Sequence, residues 1–471
     1  MTDTNSLPNR LERSRLPCDS SVVEHLVAIR PRNEQAAKIN AAGVLLLSGL
    51  DENESGSSTA TNLFLSPPSI VAALALALAA AEPGSECEQE LRRAVAPRSC
   101  ASAEEALASV AALLSSAVAS SSPSDSSSRP IVEAANSVWC AGGFEFSRDY
   151  LSRLEPLGAE ARSLSDGARA INDWVASKTR KKITDIVDEG TAAAATAILV
   201  NALYFKGTWK QKFDPRASGP GEFEVCKENK IREAHFMNKL FKRGSGAKVF
   251  AKEGAVTLAI KLPYSSSSSS PSTDSEDLFE AVFALPEPGV PFSDALAALQ
   301  EGGSGGEGGG GAEGGWRDPP RAGVEVSVPA FRAEGACLRL APLLRSSLGL
   351  SAPFCQADCR FTRMFSGGRA APAVEEVLHK VCVECDEEGS EAAAATAAVM
   401  VRAMLAVEEP LRFVADRPFL FCVRHAASGL DLFAGRVAGP RRWEGGEGGA
   451  RGGREAREGE PGCRPGGAPV G

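Results

Sequence analysis

Two cysteine pairs and a glycine-flanked serine are the residues of this chain whose spacing matches reactive motifs. Cys382 and Cys385 form a CxxC, and Cys355 and Cys359 stand a little upstream. Thiolates of this kind could hold zinc tetrahedrally, and a CxxC could cycle as a dithiol. Neither chemistry fits: no ligand spacing joins the pairs, and the CxxC does not open a helix in a βαβ unit. The run GGSGG at residues 302–306 has the nucleophile-elbow pattern, and the glycines around it match GxGxxG. Both patterns require a strand before and a helix after, which a glycine tract does not provide. The four histidines, His25, His235, His379 and His425, are too scattered for a His-based catalytic or metal site. The chain is therefore read as a non-enzyme without cofactor or metal.

A different kind of chemistry is written in ECDEEGSEAAAATAAVMVRAMLAVEEPLRFVADRPFLF, residues 384–421. A strand, VLHKVCVEC, runs into Glu387, Glu388 and Gly389, and about twenty residues then pass without turn chemistry, a length that is usually functional. Gly, Pro and Asn are nearly absent from the first half. With a period of two, Ser390, Ala392, Ala394, Thr396, Ala398 and Met400 share one uncharged face, while Glu391 falls on the other. Such small residues could slide between existing strands without overpacking. Alanine is also the best helix former, so a helix is the competing reading.

The elements that must carry this segment follow from composition and pattern. A chain of 471 residues, 43% of them hydrophobic, can bury one large core or two ordinary ones. Its net charge of -9 leaves no basic stripe for nucleic acid. The N-terminus lacks an apolar secretory core, and Asp3, Glu12 and Asp19 argue against a transit peptide. The longest apolar run, Ile70 to Ala81, is too short for a bilayer. A soluble cytoplasmic or nuclear protein is expected, its 12 cysteines mostly free thiols.

Residues 1–34 read as a flexible extension and 441–471 as a disordered Gly/Arg-rich tail. The domain between them, 35–440, carries Ser-rich or Gly-rich insertions at 115–128, 265–275 and 301–315. Helices are expected at Ile39–Leu50, from a Ser66 cap through Ile70–Ala81, and within 86–118. Strands are expected at 196–205, 256–264, 278–286, 324–331, 377–385, 419–426 and 430–437. Helices first and strands later make an α+β protein with a large, mostly antiparallel sheet.

EEGSEAAAAT (387–396) resembles the hinge signature of the serpin family almost residue for residue. NLFLSPPSI (62–70) is similar to that family's start of helix B, and INDWVASKTRKKITDIV (171–187) to its helix F region. ILVNALYFKGTWKQKFDP (198–215) resembles strand 3A and the breach, and VEVSVPAF the strand after it. FVADRPFLF (413–421) and LDLFAGRVAGP (430–440) resemble the C-terminal strands. The resemblance implies the serpin fold, with about nine helices around three β-sheets and an exposed reactive-centre loop. It implies a hinge at Glu387, Glu388, Gly389, Ser390, Glu391, Ala392, Ala393, Ala394, Ala395 and Thr396. It makes Ser66, Ser69, Asn201 and His379 the shutter and Trp209 the breach tryptophan, although core packing alone would also account for Trp209.

The implied activity is suicide inhibition: a protease cuts the loop, and the freed hinge enters the central sheet while the acyl-enzyme survives. Counting forward from Glu387 puts the cut after Ala403, and counting back from FVADRPF puts it after Arg402. Arg402–Ala403 is preferred, because a lone arginine amid VMV and AML suits a trypsin-like serine protease or an Arg-specific papain-like or metacaspase cysteine protease. The protein is expected to be a monomer. A non-inhibitory serpin, a chaperone, carrier or storage protein, is the alternative, though its hinge would carry charged, bulky or proline residues. The basic residues at 180–182 and 239–243 form clusters too short for a heparin-like cofactor.

Overall fold

The computed structural model describes residues 33–54, 62–119, 130–142, 145–225, 231–265, 278–302, 315–334, 336–368, 371–387 and 408–440. Helices α1 (Glu34–Glu54), α2 (Pro67–Ala80), α3 (Glu86–Val95) and α4 (Ala103–Ala119) come first, with a short strand β1 (Leu63–Leu65) ahead of α2. Then come β2 (Ile131–Cys140), α5 (Arg148–Leu154), β3 (Ala159–Ser163), α6 (Gly167–Lys178) and α7 (Glu189–Ala194). Strands β4 (Ala197–Lys206), β5 (Gly219–Glu224), β6 (Ile231–Phe241), β7 (Lys248–Lys252), β8 (Val256–Pro263) and β9 (Phe279–Pro286) follow. Beyond α8 (Phe292–Gly302) lie β10 (Val324–Pro329), β11 (Phe331–Glu334), β12 (Leu338–Arg339) and α9 (Ala341–Leu348). Strands β13 (Glu376–Cys385), β14 (Leu411–Val414), β15 (Phe419–His425) and β16 (Leu430–Val437) complete the described elements. The α+β class is the expected one.

The strands form three sheets, ordered β1-β16-β15-β9-β8-β7, β14-β10-β6-β5 and β11-β13-β4-β2-β3, with β12 also on β13. The last is the main sheet, and it is buried on both faces. Val377, Val381 and Val383 of β13 and Leu199, Leu203 and Phe205 of β4 point into the large core that contains α2. Leu378, Cys382, Ile198, Val200, Ala202 and Tyr204 point the other way, against Ile171, Trp174 and Val175 of α6. Helix α2 is buried along its whole length, which its apolar run on every side requires. It begins at Ser66, whose Oγ accepts the Ser69 N–H at 3.4 Å, and Pro67 and Pro68 fill the turn where no N–H partner is needed.

Four expectations are corrected. The helical first part hides β2 at the heart of the main sheet; most of β2 is buried on both faces, so IVEAANSVWC shows no alternation. The run VEVSVPAF is two strands in two sheets, because Pro329 has no N–H and Ala330 turns the chain by donating to the His235 carbonyl at 2.7 Å. The expectation of a mostly antiparallel sheet misses two parallel pairings in the main sheet, β13 with β4 and β3 with β2, beside its three antiparallel ones. Between β4 and β13 the chain builds strands of the other sheets and then β11 and β12, and it returns in the direction of β4 by the long crossover that parallel pairing demands. Finally, the first residues of the 115–128 insertion continue α4, with Ala117 buried.

Gly435 of β16 sits opposite Phe64 of β1, and a Cβ there would lie 2.2 Å from the Leu63 carbonyl oxygen. Gly435→Ala is expected to push β1 off the sheet and cost about 1–3 kcal/mol, read as a lower urea midpoint by circular dichroism.

Candidate functional site

Strands β4 and β13 run parallel and are paired from Ile198 opposite Glu376 to Lys206 opposite Glu384. Beneath the middle of this seam, the Ser66 N–H donates to His379 Nε2 at 3.0 Å. Nε2 is therefore the bare nitrogen, and Nδ1 donates to Asn201 Oδ1 at 2.6 Å. Asn201 Nδ2 donates onward to the Ser69 carbonyl at 2.8 Å and to Asn136 Oδ1 of β2. One imidazole thus ties β13 to β4 and, through Asn201, to β2 and the first turn of α2. The four residues expected at the shutter, Ser66, Ser69, Asn201 and His379, are all buried and in one network, with Ser69 taking part through its backbone. Burial holds the His379 pKa down at about 3.

At the end of the seam, Trp209 Nε1 donates to the Asp386 carbonyl at 2.7 Å, and Lys206 Nζ lies 3.3 Å from Asp386 Oδ2. Trp209 stacks on Tyr264 with ring centroids 4.6 Å apart, so packing and contact with the exit of β13 are both present. The Tyr264 ring covers Gly207 so closely that a Cβ there would sit 2.1 Å from it. The buried Tyr264 hydroxyl has no hydrogen-bond partner among the described residues. Glu387, the first residue of the expected hinge, is hydrogen-bonded to His235 Nε2 of β6 at 2.6 Å. The rest of the expected hinge (Glu388, Gly389, Ser390, Glu391, Ala392, Ala393, Ala394, Ala395, Thr396) and the expected reactive bond between Arg402 and Ala403 lie outside the described residues.

Sequence reasoning missed several members of this site. Asn136 carries a faint signal, a polar amide in the apolar run of β2. His235, Lys206, Asp386, Tyr204 and Glu384 carry none, since only the strand order brings them together. The CxxC is settled by its strand: Cys382 and Cys385 are an odd number of positions apart and point to opposite faces. Burial pushes both thiols up, Cys382 to about 11. The nine described cysteines are all free, and no group of His, Cys, Asp or Glu that could hold a metal occurs among the described residues. In the basic run 178–182, Lys178, Arg180 and Lys182 are already paired with Glu160, Glu133 and Glu384. No described helix is long and apolar enough to cross a membrane.

A mixed sheet sealed on both faces, with α2 packed on one side and α6 on the other, is the architecture of a protein class that the comparisons name. The family described as Serpin (serine protease inhibitor) matches residues 39–440, and the chain belongs to it. It is similar to the leukocyte elastase inhibitor of Sus scrofa, 31% identical over 397 residues that cover 82% of this chain and 94% of the relative. It is also similar to Serpin-ZX of Arabidopsis thaliana, 31% identical over 66% of this chain and 77% of that one. In structure it resembles Arabidopsis AtSerpin1 in its native stressed conformation, with a TM-score of 0.67 over 86% of this chain and 98% of the other. At 24% identity that likeness speaks for the fold.

Protonating His379 would set Nε2–H against the Ser66 N–H. Its pKa is about 3 in the folded protein against 6.5 for the free group, so between these values the unfolded chain holds the extra proton. The His379 contribution to stability is therefore complete above about pH 6.5 and lost as pH falls toward 3. His379→Gln is expected to flatten the fall of melting temperature between about pH 7 and 4. His425, also lowered by burial, acts with the same sign in both proteins, so the difference between the curves isolates His379.

Proposed function

We propose that this chain is a suicide-substrate inhibitor that traps an Arg-cleaving serine or cysteine protease by inserting its cut loop between β4 and β13. The parallel seam is the observation that carries the reading. A segment folding back from the end of β13 runs antiparallel to β13, and because β4 is parallel to β13 it runs antiparallel to β4 as well. One slanted parallel ladder is then exchanged for two antiparallel ladders, which are the stronger kind per residue.

About twelve residues from Ser390 onward would gain ladder bonds worth roughly 1 kcal/mol each, on the order of 10 kcal/mol before packing. The small residues of the hinge suit the space, since the sheet is tightly packed above and below. The uninserted fold is then held by a barrier rather than by depth of minimum. In this reading Ser66, Ser69, Asn201 and His379 act as the shutter that must yield as the seam opens. Trp209 guards the point where opening starts. Distortion of the bound protease would disturb its oxyanion hole and triad and stall deacylation.

Arg402–Ala403 is the proposed reactive bond, and an inhibitory action agrees with a relative named as an elastase inhibitor. The free thiols among the described residues agree with a reducing compartment, so the protease would be met in the cytoplasm or nucleus. The protein is mixed with trypsin or with an Arg-specific cysteine protease, run on a denaturing gel, and the released C-terminal peptide weighed. An SDS-stable band at the summed mass with a peptide starting at Ala403 is expected. A peptide starting at Met404 would move the bond to Ala403, and cleavage without complex by both protease classes would favour the non-inhibitory alternative. Ser390→Arg and Ala394→Pro are each expected to leave cleavage intact and abolish the complex, because insertion would bury an unpaired charge or lose a ladder donor.

A further inference from the structure

Strand β3 ends the main sheet, and no described strand covers its outer edge. The Leu164 N–H donates to the Cys140 carbonyl at 2.9 Å, with Ser163 in register with Cys140. In a parallel ladder that bond fixes the parity. The even-numbered residues of β3 spend their N–H and C=O groups on β2, and Ala159, Ala161 and Ser163 turn theirs outward. Open edges of this kind are usually blunted by proline, lysine, a bulge or a covering element. AEARS contains no proline or lysine, and its pairing with β2 runs without a register shift. Beside the edge lies an open cleft of about 480 Å³, bounded by β3 and by Leu151 and Leu154 of α5. Leu151 is 42% exposed, one of two large apolar side chains so exposed among the described residues.

The two faces of β3 carry different side chains. Ala159 and Ala161 turn toward the large core and α5. Glu160 and Arg162 lie on the α6 face, where Glu160 accepts from Trp174 Nε1 at 3.1 Å and pairs with Lys178 at 2.8 Å. Arg162 donates to Glu160 at 2.8 Å, and its guanidinium stands 5.4 Å from the Trp139 ring centroid. Both charged side chains keep access to solvent, Glu160 at 37% and Arg162 at 45% exposed. The strand is thus small, acidic, small, basic and small in order. Reversed about Ala161, it sets acid where base was and base where acid was.

We propose that the outer edge of β3 is an interface for a second copy of this chain, paired antiparallel about a two-fold axis through Ala161. Backbone parity and charge select the same register. With Ala161 opposite the partner's Ala161, and Ala159 opposite the partner's Ser163, residues with outward N–H and C=O groups meet as hydrogen-bonded pairs. Glu160 then falls opposite the partner's Arg162, and Arg162 opposite the partner's Glu160. These are the non-hydrogen-bonded positions, where opposed side chains come closest, and opposite charges there are stabilising. The two-fold makes each favourable pair twice. Sliding one copy by two residues keeps the backbone parity but sets Glu160 against the partner's Glu160, or Arg162 against the partner's Arg162, which is destabilising. The same axis puts Leu151 of both copies on one side of the joined sheet. Each β4–β13 seam lies beyond β2 from the contact, so the pairing stands independently of the insertion reading. The monomer expected from the sequence is then the dilute form.

The test measures the mass of the full chain in solution by sedimentation velocity across a concentration series. Wild type is expected to pass from one chain mass to two as concentration rises. Glu160→Arg and Arg162→Glu each set like charges at both symmetric positions, so each alone is expected to weaken the dimer about a hundredfold. Mixed in equal amounts, the two variants set a basic strand beside an acidic one and are expected to recover the dimer, which general destabilisation would not produce. Ala161→Pro removes an outward N–H that the ladder with β2 does not use, and is expected to leave only monomer. A wild type that stays monomeric throughout, a dimer that these variants leave within twofold, or a mixture that fails to recover it would each overturn the proposal. Should Ala161→Pro fail to fold, the two charge variants and their mixture decide by themselves.

Discussion

The hydrogen bonds between β4 and β13 set the terms for the rest of the molecule. Parallel ladder bonds are slanted and slightly weaker per residue than antiparallel ones. A sheet whose central pair is parallel therefore holds a better arrangement in reserve whenever a further strand is available to run between them. The segment that begins at Glu387 is attached to the end of β13, which fixes its direction if it turns back. The groups described above on either face hold that seam together.

The two faces of the seam are closed by different chemistry. On the core face, a neutral imidazole and an amide share a dry network in which each named donor has an acceptor: Ser66 N–H to His379, His379 to Asn201, Asn201 to Ser69 and Asn136. Buried polar groups are costly when unpaired and cheap when satisfied, so this network favours one register strongly and resists small displacements. On the α6 face the closing groups are charged and nearer to solvent, with Glu384 buried and Lys182 partly exposed. Losing either partner would leave a buried charge unpaired, so these pairs too hold the strands in register.

At the end of the seam, aromatic packing takes over. Trp209, Tyr264, Phe205 and Phe283 form a continuous contact, and Trp209 reaches from it to the Asp386 carbonyl. In the proposed mechanism, opening from this end would break a hydrogen bond and an ion pair before it reached the His379 network. His235 holding Glu387 belongs to the same end and comes from a different sheet. The exit of β13 is thus fastened by residues from both the main sheet and its neighbour.

What could be read from the chain itself was local chemistry and regular pattern. The Ser66 cap with its prolines, the all-apolar α2, and the β13, β15 and β16 runs each depend on neighbours in sequence. The family resemblance joined these blocks in order. Strand direction was not legible, because period and propensity are the same for parallel and antiparallel partners. Hence the mixed main sheet, the split of VEVSVPAF between two sheets, and the hidden β2 emerged only from tertiary structure. Pairings such as Glu384 with Lys182, Asp386 with Trp209 and Glu387 with His235 join residues more than a hundred positions apart. A single charged residue in sequence does not name its partner; the strand order chooses it, by setting which side chains share a face at hydrogen-bonding distance.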